Sequence, residues 1–190
     1  LKEKKLESIE EAAGCITSDE MSWINIWGIH DPEMMQRMSE IFQLPPILME
    51  DIMNTDQLPR YEDGDNYDGF ILKMLSYDED TGQISAEQFT LILGEKYVLT
   101  LQEQKGDLFN SVRERIRNTK KRTRLIDSDY FAYALLDTIV DNYIILIETL
   151  GRQIENLKKV KAERDNAPRG LRERWEIPPP PRPTPPTRRW

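Results

Sequence analysis

Apolar residues recur every three or four positions from Phe131 through Leu135, Ile139, Tyr143, Ile147, Leu150 and Ile154 to Leu157. That spacing lays one apolar stripe along a helix. Asp127 or Ser128 is placed to cap its start, because a short oxygen-bearing side chain satisfies the first free N–H groups. A helix of roughly 30 residues, about 45 Å at 1.5 Å per residue, is too long for a small domain to enclose, so it must project or pair with a neighbour. Asp137 and Asp141 interrupt it one turn apart. Residues at i and i+4 share a face, and two carboxylates there repel. The pair is a local fault unless a cation or a basic partner offsets it, and a solvated acidic face or ion pairs to Arg113, Arg117 or Lys121 are the plain alternatives.

A chain of 190 residues, 38% apolar and 32% charged, suits one soluble domain with a single core and a short appendage. A net charge of −8 argues against general nucleic-acid binding and suits a protein that meets cations. One cysteine, Cys15, excludes an internal disulfide and fits a reducing compartment. One histidine, His30, is too little for a structural zinc site. The N-terminal residues lack the apolar core of a signal peptide. No uninterrupted run of about 18 apolar residues occurs, so no bilayer span is expected in this chain.

Residues 1–20 are polar and mixed in charge. Trp23 to Trp27 is rich in β-branched and aromatic residues and predicts a strand. Asp31-Pro32 is an N-cap followed by proline at the first helical position, and the helix runs to about Phe42. Leu44-Pro45-Pro46 breaks the chain before a second short helix through Ile52 and Met53. Tyr61 to Asn66 reads as a polar lead-in. Phe70–Leu75, Glu87–Leu93 and Tyr97–Leu101 predict three strands in an antiparallel meander, the first two joined by Asp78-Glu79-Asp80-Thr81-Gly82. A further helix is expected from Gly106-Asp107, with an apolar stripe of Leu108, Phe109, Val112 and Ile116. A basic linker at 118–124 precedes the long helix. From Ala167 the run of prolines predicts an extended tail. The expected organisation is a polar segment at 1–20, a folded domain at 21–160 and a proline-rich tail at 161–190.

No catalytic set assembles: there is no nucleophile elbow and no phosphate-cradling glycine loop. An enzyme is therefore not expected. Asp78 to Gly82 resembles the start of a calcium loop, but Phe89 stands where the closing glutamate belongs. Glu50-Asp51 and the pair Asp137 and Asp141 are the better candidates. Mg²⁺ takes oxygen ligands and keeps several waters, so one or two carboxylates per ion suffice.

The ordered segments Ile47–Asn54, Phe70–Asp78, Glu87–Leu93, Val98–Glu103, Gly106-Asp107, Val112–Arg117 and Asp129–Tyr143 together resemble the cytoplasmic domain of the CorA family of divalent-cation channels. The resemblance covers about residues 20–160. It implies an α/β fold, an α/β/α sandwich with a mixed, largely antiparallel sheet and a long C-terminal helix. It further implies a homopentamer on the cytoplasmic side of the cell membrane. In the family, Mg²⁺ bound by acidic residues between neighbouring cytoplasmic domains holds the channel closed, and the sensing acids fall here on Glu50, Asp51, Asp137 and Asp141. The implied cations are Mg²⁺, with Co²⁺ or Zn²⁺ as variants. The family's stalk helix, two transmembrane helices and Gly-Met-Asn signature have no counterpart in this sequence, so this chain is expected to supply the sensing part alone. The alternative is an adaptor whose helical arm and proline-rich tail recruit a partner.

Overall fold

From Gln88 to Ile92 every residue is buried, polar and apolar alike. Phe89 and Leu91 face one side, Ile92 the other, so that stretch is covered on both faces by packed helices. The computed structural model describes residues 3–16, 20–78, 80–106, 108–118 and 127–166. Its elements are α1 (Ile9–Ala13), β1 (Ser22–Trp27), α2 (Pro32–Phe42), α3 (Pro46–Met53), β2 (Arg60–Asp63), β3 (Asp68–Tyr77), β4 (Ile84–Leu93), β5 (Tyr97–Gln102), α4 (Asn110–Asn118) and α5 (Ser128–Asn166).

The five strands form one sheet in the order β1-β5-β4-β3-β2. β1 runs parallel to β5, with Trp23 opposite Val98, while β2, β3, β4 and β5 pair antiparallel in sequence. One face of the sheet packs Ile24, Ile71, Ile92 and Leu99 against Met35, Met38 and Phe42 of α2 and Leu48, Met49 and Ile52 of α3. The other packs Met74, Phe89, Leu91 and Val98 against Phe109, Val112 of α4 and Phe131, Leu135 and Ile139 of α5. Each fully buried side chain of this size stabilises the fold by about 1.5–3 kcal/mol. The Trp23 ring adds aromatic contacts to Phe109 and Phe131, with centroids 6.2 and 5.1 Å away. The expected α/β/α sandwich with a mixed sheet is therefore the observed one.

Local chemistry explains the element ends. Asp31 caps α2 by accepting from the N–H groups of Glu33 and Met34. Gly64 and Gly94 occupy equivalent hairpin turns, each donating its N–H to the carbonyl of a tyrosine three residues on, Tyr67 and Tyr97, at 2.9 Å. In both turns the tyrosine ring lies where a Cβ on the glycine would stand.

Three expectations need correction. The lead-in to β3 contains a strand, β2, whose mostly exposed polar residues carry no apolar alternation. α4 begins at Asn110, so Leu108 and Phe109 precede it. α5 is 39 residues long, about 58 Å, and reaches Asn166 rather than ending near Leu157. By length and composition α5 also has a window apolar enough to cross a membrane, although much of its N-terminal half supplies the core. The chain divides into two compact units at Leu146. Among the described residues the second unit is the remainder of α5, a helix with Ile147, Ile154, Leu157 and Val160 exposed. The basic linker and the proline-rich tail lie outside the described residues.

Gly94→Ala is expected to destabilise the domain by about 1–3 kcal/mol, because the new methyl meets the Tyr97 ring, itself packed on Phe42 at 5.2 Å between centroids. Thermal unfolding followed by circular dichroism checks this, and an unchanged Tm would contradict it.

Candidate divalent-cation site

α3 is a short helix started by Pro45-Pro46, with Pro46 in its first turn where the missing N–H costs nothing. Burial of Leu48, Met49 and Ile52 turns the intervening acids outward: Glu50 is exposed and Asp51 half-buried. The Asp51 carboxylate is ion-paired with Arg60, whose guanidinium also reaches Glu62 at 2.6 Å. Three side chains gather the carbonyls at the end of α3. Gln57 donates to Asp51 and Asn54, Gln88 to Ile52 at 2.6 Å and Asp51 at 3.3 Å, and Lys73 to Thr55.

On α5, the stripe of Phe131, Leu135, Ile139 and Leu146 is buried, which leaves Asp137 and Asp141 exposed. The Tyr133 hydroxyl donates to Asp137 Oδ1 at 3.4 Å. Tyr130, Tyr133, Val140 and Ile144 are exposed on the same helix. The neighbours of Asp141 are anchored inward, since Asn142 Nδ2 donates to the Leu75 carbonyl at 2.7 Å and the Tyr143 hydroxyl to that of Lys73. Burial pushes the Tyr143 phenol pKa up.

The two acid pairs sit on helices that pack against opposite faces of the sheet. One chain therefore does not bring them together, and no group of three or more His, Cys, Asp or Glu side chains able to hold a metal occurs among the described residues. Glu50, Asp137 and Asp141 are exposed and Asp51 is half-buried; carboxylate oxygens are the donor type Mg²⁺ takes, and one or two suit an ion keeping several waters.

Asp78 is not a calcium ligand in waiting. Its carboxylate accepts the N–H groups of Thr81 and Asp80 at 3.1 and 2.9 Å, which holds its pKa below the usual carboxylate value. Asp63, Asp65, Asp68, Glu95 and Asp129 line an open cleft of about 280 Å³ that sequence spacing did not suggest. There the Tyr61 hydroxyl donates to Asp68, and stabilisation of its protonated form pushes its pKa up to about 12.

A family model described as "CorA-like Mg2+ transporter protein" matches residues 18–174. The chain belongs to the CorA family. The match runs beyond residue 160 and takes in the whole of α5. The chain is 39% identical over 163 residues to the cobalt/magnesium transport protein CorA of Thermotoga maritima, covering 86% of this chain and 46% of that protein. It is 21% identical over 137 residues to the candidate metal ion transporter YfjQ of Bacillus subtilis, covering 72% of this chain and 41% of that protein. The chain thus spans less than half the length of these two relatives. Among solved structures, the soluble domain of CorA from Methanocaldococcus jannaschii superposes with a TM-score of 0.55 at 20% identity, over 80% of this chain and 59% of that one. The full-length CmaX protein gives 0.59 at 14% identity, over 80% and 46%. These two agree in fold with the sandwich described above.

Arg60 is the basic partner that sequence spacing missed, because it approaches Asp51 from β2. Its side chain and that of Asp51 are both partly exposed, so a double-mutant cycle on Asp51→Asn and Arg60→Ala is expected to give a coupling of at most about 1 kcal/mol, weakened by salt. Urea unfolding of the four proteins measures it, and a larger, salt-insensitive coupling would contradict the exposed placement.

Proposed function

We propose that this chain is the cytoplasmic Mg²⁺-sensing part of a CorA-type magnesium and cobalt channel. Its four carboxylates act between copies: Glu50 and Asp51 of one chain share a divalent ion with Asp137 and Asp141 of a neighbour, and that contact favours the closed packing. The observation that carries this reading is the exposure of Glu50, Asp137 and Asp141, with Asp51 half-buried beside Glu50, next to exposed apolar side chains. Ile47 precedes Glu50 by one turn of α3, and Tyr133, Val140 and Ile144 flank the aspartates of α5. Apolar side chains of this kind suit an interface, yet the carboxylates would make that interface repulsive unless a cation is present.

The chain's own residues account for the sensing. Without the ion, facing carboxylates repel and keep neighbouring copies apart. When bound, a doubly charged ion supplies the attraction that the carboxylates lack, and mass action then populates the joined state. Mostly exposed acids, one of them already held by Arg60, bind weakly, as a sensor of a free ion requires. By the same reading the copies form the ring of the family, a homopentamer beneath the membrane, and conduction belongs to parts of the protein other than this chain. The adaptor alternative rests on residues 178–186, which lie outside the described residues, and no observation favours it.

Light scattering and thermal melting in rising Mg²⁺ test the proposal. The wild-type chain is expected to associate and to gain roughly 1–3 kcal/mol of stability at saturating ion. The double variant Asp137→Asn, Asp141→Asn is expected to do neither. A wild-type chain whose mass and Tm ignore Mg²⁺ would overturn the proposal.

A further inference from the structure

β2 pairs with β3 only from Asp68 to Ile71, whereas β3 continues to Tyr77. Among the described residues no strand lies beside that edge of β3 beyond Ile71, and alternate residues turn their N–H and C=O groups outward. α5 takes up two of those carbonyls: Tyr143 donates its hydroxyl to Lys73, and Asn142 donates to Leu75 at 2.7 Å. The sandwich therefore closes its open edge with side chains adjoining Asp141.

Lys73 also reaches the other layer. Its side chain lies on the face of Ile71, towards α3, where its ammonium donates to the Thr55 carbonyl and stands 3.5 Å from Gln88 Oε1. Gln88, fully buried, carries the connection on to the Ile52 and Asp51 carbonyls. Both acceptors of the ammonium are neutral oxygens, so the charge is held by the carbonyl-rich end of α3. One residue thus grips both acid-bearing helices: α3 through its side chain and α5 through its backbone carbonyl.

We propose that Lys73 is the positioning residue that couples the two acid pairs, so that a displacement at the end of α3 is felt at Asn142 and Tyr143 and alters where Asp141 is held. This rests on the Mg²⁺-sensing reading for its functional consequence and on the hydrogen-bond path alone for its mechanics. Neither Lys73 nor Tyr143 is a ligand; both act through the carboxylates' supports.

The test uses the full 190-residue chain and three variants, Lys73→Met, Lys73→Arg and Tyr143→Phe. Amide hydrogen exchange of the metal-free protein is followed at the end of α3 and at residues 138–146, alongside the Mg²⁺ midpoint of association. Lys73→Met is expected to speed exchange at both places by about tenfold, the equivalent of one charged hydrogen bond. It is also expected to raise the Mg²⁺ midpoint severalfold, while Lys73→Arg restores both. Tyr143→Phe, which keeps the ring, is expected to speed exchange on α5 and also at the end of α3, and it carries the test if Lys73→Met fails to fold. Changes confined to α3 in Lys73→Met and to α5 in Tyr143→Phe would overturn the coupling, as would an unmoved midpoint in Lys73→Met. If the wild type ignores Mg²⁺, the sensing reading fails, and the exchange pattern still decides whether Lys73 joins the two helices.

Discussion

Burial of the sheet on both faces is the constraint from which the rest follows. β4 and β5 supply Phe89, Leu91 and Val98 to one helical layer and Ile92, Leu99 and Leu101 to the other, so neither face tolerates water. α3 and α5 must therefore lie on opposite sides, and their outward residues point away from the same sheet. The acids of α3 and of α5 cannot meet at one ion within a single chain. A shared ion requires a second copy, and symmetric assembly is the ordinary way to present one surface to another.

The residues that read clearly in the sequence are those whose partners are local. Asp31 and Pro32 announce the start of α2, the turns at Asp78 to Gly82 and Gly94 to Lys96 announce the meander, and the stripe from Phe131 to Ile139 announces the buried side of α5. Exposure of Asp137 and Asp141 follows from that same stripe. What stayed hidden depends on distant partners. β2 has three charged residues and one exposed tyrosine, and it is a strand through its pairing with β3. The parallel register of β1 on β5 joins residues some 75 apart in sequence. α5 outruns its apolar period because the charged residues beyond Leu157 are good helix formers, a signal that periodicity does not detect.

The basic partner of the acids shows the same limit. Spacing suggested Arg113, Arg117 or Lys121. In the fold the Arg113 guanidinium lies over the Trp23 ring, 4.8 Å from its centroid, and Arg117 pairs with Glu3 at 2.7 Å, while Lys121 lies outside the described residues. Arg60 takes Asp51 instead. On the proposed reading this arginine sets a competition: the oxygens that would take a divalent ion already have a cation, so only an ion at sufficient concentration would displace it. Lys73 adds a structural tie between the layers that no local pattern reveals, since its two contacts leave the strand by different routes.

The most direct measurement is a structure of the assembled protein grown with Mn²⁺ in place of Mg²⁺ and read by its anomalous scattering. Metal density lying between Glu50 or Asp51 of one copy and Asp137 or Asp141 of its neighbour is the result expected. Copies packed with no metal between them, their α5 aspartates in bulk water and Asp51 still on Arg60, would contradict it.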